Sequence, residues 1–126
     1  MRSTELNQGP IIDVTIILDE RQIPQFIYTE NGQQVTGSVV VTQGQDITYQ
    51  LLNSPGYKFL GAGFITPFNH VVDSVQLSAD GQQLTLIDED SVPGSSKFQL
   101  ILSDTTNSLW LISPDPQVVN RKEEEA

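Results

Sequence analysis

From Ile12 onward the chain keeps returning to a period of two. Ile12, Val14, Ile16 and Leu18 fall on one side, and Asp13, Thr15, Ile17 and Asp19 on the other. A strand alternates its side chains between two faces, so this spacing turns one face to a core and the other to water. No stretch of ten residues sustains a 3.6-residue spacing. Helix is therefore expected in at most one turn, between Pro67 and Asp73.

Turn residues cut the alternating runs into short strands. Pro24 to Thr29 is a second strand, with Pro24 suited to its start or to an edge. Asn31-Gly32 marks a hairpin, because both residues tolerate positive φ, and Val35 to Thr42 is its expected partner strand. Asp46 to Leu52 turns Ile47, Tyr49 and Leu51 inward. Tyr57 to Thr66 is interrupted by Gly61 and Gly63, which predicts a bulge or a close backbone approach. Ser74 to Ala79 and Gln83 to Asp88 flank a second hairpin turn, Asp80-Gly81. Ser91 to Ser96 reads as a loop, followed by strands at Lys97 to Ser103, Ser108 to Ser113 and Gln117 to Asn120. About eight to ten short antiparallel strands, with turns between them, predict an all-β, two-sheet sandwich of immunoglobulin-like or cupredoxin-like type. Val39-Val40-Val41 and Leu100-Ile101-Leu102 are apolar on both faces, so they are expected either centrally or against another subunit.

The 126 residues suffice for one domain, expected over 11–120, with a flexible segment at 1–10 and a charged tail at 121–126. Cysteine is absent, which removes disulfides, thiolate metal sites and cysteine nucleophiles. Sixteen acids against six basic residues give a net charge of −10, which repels phosphate backbones and argues against nucleic acid as a partner. No apolar h-region opens the chain and no run nears the ~20 apolar residues of a membrane helix, so a cytoplasmic, membrane-free protein is expected.

Few constellations carry chemistry. Asp88-Glu89-Asp90 is the densest acidic run and offers the hard oxygen ligands that calcium prefers, although alternation sends Asp88 and Glu89 to opposite faces. His70 is the only histidine; Asp73 and Ser74 follow closely, but no Gly-x-Ser-x-Gly elbow is present. Tyr57, Phe59, Phe64, Phe68 and Trp110 are core material or, where exposed, stacking platforms for a sugar. Trp110 alternates with Leu109 and Leu111, so it faces away from an apolar row. Tyr57, Trp110 and His70 are the candidate ligand-binding residues.

Val41 to Tyr49, followed by Gly56-Tyr57-Lys58-Phe59, resembles the early strands of a cupredoxin-like or immunoglobulin-like sandwich. With one His, no Cys and a single Met, the chain lacks the ligands of a blue-copper site. The closing segment Ser113-Pro114-Asp115-Pro116-Gln117-Val118-Val119-Asn120-Arg121 resembles the small bacterial DP-EP family, and more distantly the PixA/AidA-type sandwiches. The resemblance implies a bacterial sandwich and brings no catalytic residues with it. The expected role is a non-enzymatic structural or interaction module without cofactor, self-associating and dimeric by preference. The alternative is a glycan- or small-ligand-binding module, with calcium as a possible aid.

Overall fold

The computed structural model describes residues 8–41, 45–88, 93–106, 109–114 and 117–120. They form β1 (Gln8–Leu18), β2 (Pro24–Glu30), β3 (Gln33–Val35), β4 (Val39–Val41), β5 (Asp46–Leu51), β6 (Tyr57–Phe64), β7 (Ser74–Leu77), β8 (Gln83–Ile87), β9 (Gly94–Asp104), β10 (Trp110–Ile112) and β11 (Gln117–Asn120). The first sheet has six strands in the order β3-β2-β1-β5-β8-β7. The second runs β10-β9-β11-β4, and β6 pairs with the opposite edge of β9. The molecule is an all-β sandwich, and among the described residues no helix is long and apolar enough to cross a membrane.

Alternation builds the core. Ile12, Val14, Ile47, Tyr49, Leu84 and Leu86 point inward from the first sheet and meet Phe59, Phe98, Leu100 and Leu102 from the second, all of them buried. Edge-to-face rings then stitch the sheets together. Tyr28 meets Tyr49 at 6.4 Å and 75°, and Tyr49 meets Phe98 at 5.9 Å and 69°. The Tyr49 hydroxyl donates to the Gly37 carbonyl at 2.6 Å. Desolvation, with smaller effects from Tyr28 and Glu30, holds that phenol far above the ordinary tyrosine range, so it remains a neutral donor.

Both predicted hairpins form. Asn31 and Gly32 have φ of 53° and 80° and join β2 to β3, and the Asp80-Gly81 turn joins β7 to β8. Two pairings are parallel rather than antiparallel, β1 with β5 and β4 with β11. Turn dipeptides specify neighbours in sequence and carry no information on such distant partners. The expected strand from Val35 to Thr42 is split: β3 stays in the first sheet and β4 joins the second. Gly37 makes the switch at φ 89°, where a Cβ would lie 2.8 Å from the Tyr28 ring.

The expected helical turn between Pro67 and Asp73 is a loop tied by Asn69. Its side-chain amide donates to Thr66 Oγ1 at 3.0 Å and to the Ser95 carbonyl at 2.9 Å, and its Oδ1 accepts from the Val71 amide at 3.1 Å. These bonds give the polar groups partners that a helical turn would otherwise have supplied. The expected loop from Ser91 to Ser96 is already strand by Gly94, which begins β9. Gln8, Gly9 and Pro10 belong to β1; the rest of the expected flexible segment and the tail at 121–126 lie outside the described residues.

Gly37→Ala combines a left-handed backbone with a clash against Tyr28, and is expected to lower stability by roughly 1–3 kcal/mol. Urea denaturation checks this: the midpoint falls and the slope stays constant, whereas an unchanged midpoint contradicts it.

Candidate functional site

Register decides which side chains reach the outer face of the second sheet. Leu102 and Leu111 are direct partners and face the core. Their neighbours therefore face outward, in rows across β6, β9 and β10. Lys58, Ser103 and Trp110 form one row, with Ser103 itself fully buried, and Gly61, Ile101 and Ile112 the next. Gly63 pairs with Gln99, and the Ile65 amide donates to the Lys97 carbonyl, which extends the face further.

A bulge between Phe59 and Gly61 shifts the register of β6 by one residue. Such a shift swaps the two faces. Phe59, Ala62 and Phe64 consequently point to the core, while Gly61 and Gly63 face outward. A Cβ on Gly61 would meet nothing within 4 Å. The floor beside Ile101 is thus bare backbone. Trp110 is 69% exposed, Ile112 59% and Ile65 66%. None of the outward positions of β6, β9 or β10 carries a carboxylate, although the chain has sixteen acids.

The outer face of the first sheet has the opposite character. Gln50 Nε2 donates to Asp13 Oδ1 at 2.6 Å, and Gln83 Nε2 donates to Gln50 Oε1 at 3.2 Å. Thr48 and Thr85 hydroxyls share a bond at 3.2 Å, and Thr15 Oγ1 donates to the Leu52 carbonyl at 3.0 Å. Ile11 and Ile17 are the apolar members of β1 on this face, 39% and 50% exposed. Half-buried Ile27 of β2 is a third apolar member, and a polar ladder crosses β1, β5 and β8 between them.

The sequence-derived candidates separate on this frame. Trp110 stands on this outer face, in one row with Lys58 and beside Ile101 and Ile112. Tyr57 is half-buried against the core, with its carbonyl accepting from Gln82 Nε2 at 2.9 Å. His70 lies on the exposed Asn69 loop with φ 66° and has no hydrogen-bond partner among the described residues. Asp88 is fully buried at the end of β8, and its amide donates to Asp46 Oδ1 at 3.4 Å. Glu89 and Asp90 lie outside the described residues. No group of three or more His, Cys, Asp or Glu able to hold a metal occurs among the described residues. The candidates therefore do not converge on one site. Ile65 and Ile112 complete the face around Trp110, and only the glycine pair hinted at the register shift that turns Ile65 outward.

The family model described as the DP-EP family matches residues 10–122, from the third residue of β1 to just beyond β11. The chain belongs to the DP-EP family. No curated protein matches this DP-EP chain.

One carboxylate of this DP-EP protein is tuned by its hairpin. Ser78 Oγ donates to Asp80 Oδ1 at 2.7 Å, and the Gln82 amide donates to the same oxygen at 3.0 Å. These bonds favour the ionised form and hold the Asp80 carboxyl below its ordinary value. A depressed folded-state pKa contributes stability that is present above the unfolded value and lost as pH falls through the folded one. Asp80 should therefore titrate below the ordinary aspartate value in an NMR pH series, and Ser78→Ala should move it upward. No movement in the variant contradicts the assignment.

Proposed function

We propose that this chain is a non-enzymatic structural or interaction module of the bacterial cytoplasm that self-associates through the outer face of β6, β9 and β10. One observation carries the reading: Trp110 and Ile112 stand exposed beside half-buried Ile101 on a face without carboxylates, while on the opposite sheet a polar ladder runs between exposed Ile11 and Ile17. Exposed apolar surface gathered on one face is the mark of an interaction site. At about 25 cal/mol per Å², covering the exposed parts of a Trp and an Ile contributes a few kcal/mol per copy. The charge of −10 opposes association, so two copies meet most favourably where carboxylates are missing.

A second reading is a glycan-binding face, with or without calcium, in which a sugar ring stacks on the Trp110 indole above the open floor at Gly61. Titration calorimetry with neutral oligosaccharides, in calcium and in chelator, tests it. Heat that disappears in Trp110→Ala supports stacking, and no heat with either buffer excludes it.

Sedimentation equilibrium tests the first reading. The wild type is expected to form dimers at tens of micromolar, more tightly as salt screens the acidic charge. Ile112→Lys should weaken association at least tenfold without lowering the thermal midpoint of the monomer. A wild type that stays monomeric at all concentrations and salts overturns the reading.

A further inference from the structure

The strand that bears Trp110 also has an open edge. Ser113 N donates to the Leu100 carbonyl at 2.9 Å and Asp104 N donates to the Leu109 carbonyl at 3.4 Å, so Leu109 and Ser113 direct their backbone groups toward β9. Leu111, two residues from each, does the same opposite Leu102. The amides and carbonyls of Trp110 and Ile112 then point the other way, where β10 ends the sheet. Neither residue has a backbone partner on that side among the described residues.

Exposed edges are ordinarily blunted by charge. Here the ten residues from Thr105 to Pro114 carry no charge at all. Asp104 and Asp115 bound this stretch in sequence, and β4, at the other end of the second sheet, is likewise without charge but lacks the exposed aromatic that β10 carries. Leu109, Trp110 and Ile112 are 74%, 69% and 59% exposed along the β10 edge. In a chain of net charge −10, this is an edge that two identical molecules can bring together without apposing acids.

We infer that β10 pairs antiparallel with β10 of a second copy, about a two-fold axis at Leu111, so that the second sheets of two molecules become one. This inference rests on the self-association reading and confines the contact to the β10 edge of that face, where Trp110 and Ile112 lie, rather than to the whole of β6 and β9. The register follows from the groups available. An axis at Leu111 sets Trp110 opposite the second copy's Ile112, and every outward amide and carbonyl of both residues is then used. Four backbone bonds result, with Trp–Ile contacts on the outer face. An axis at Ile112 would instead oppose Trp110 to Pro114, which has no N–H to donate. A two-fold pairing closes on itself and gives a dimer rather than a fibre.

The absence of cysteine makes the geometry directly testable. In this register Leu111 lies opposite itself at a non-hydrogen-bonded position, where Cα atoms sit about 4.5 Å apart, within disulfide reach. Leu111→Cys should oxidise to a covalent dimer at protein concentrations where the wild type is dimeric. Ile17→Cys, exposed on the first sheet, should not. Because Leu111 also packs on the core, amide exchange on the wild type supplies a second readout. The Trp110 and Ile112 amides should exchange at least tenfold more slowly in the dimer than after dilution to monomer. A wild-type dimer lacking both the cross-link and this protection overturns edge pairing while leaving the self-association reading intact. A chain monomeric throughout overturns both.

Discussion

The second sheet depends on the strict alternation of β9. Phe98, Leu100 and Leu102 are completely buried on its inner face, and they anchor a strand with partners on both edges. β6 runs along one edge, while β10 and β11 share the other in succession. Buried Ser113 marks the junction of those two, its hydroxyl accepting from the Leu100 amide at 2.7 Å. With this bond in place the β10 end of the chain is held against β9. The outward direction of Trp110 is thus a consequence of the core: Leu111 must face inward, so its neighbours cannot.

The two outer faces then show where the molecule meets water. The ladder through Gln83, Gln50 and Asp13 satisfies polar side chains against one another across three strands. On the opposite face a bulge has brought glycines outward beside Ile101. Exposing a tryptophan and an isoleucine there costs solvation free energy, which a second molecule covering them in the proposed dimer would recover. The chain's heavy acidic charge sharpens the contrast, since it leaves few surfaces through which like molecules can approach.

Much of the fold was legible from residues. Alternation gave the inward rows of β1, β5 and β9, and Asn31-Gly32 and Asp80-Gly81 gave the two hairpins. What escaped was non-local. The split of Val35 to Thr42 depends on Tyr28, whose ring fills the space at Gly37. The parallel partners of β1 and β4 lie far along the chain, beyond what any turn residue encodes. For the site, the period of two correctly singled out Trp110, since Leu111 shares the core face. It could not distinguish Tyr57, which the sandwich half buries, from a true surface aromatic. Ile65 was hidden for a different reason: a one-residue bulge in β6 reverses the faces after it, and glycine signals a bulge without giving its position.

Trp110 is the only tryptophan, so its fluorescence reports on the proposed contact without labelling. The most direct measurement is acrylamide quenching of that emission across protein concentration. If the outer face of the second sheet is covered by another copy, quenching should weaken several-fold as concentration rises, with a blue shift of the emission. Strong quenching that stays constant from nanomolar to hundreds of micromolar protein would contradict the account, because it would leave the indole facing water in every state of the molecule.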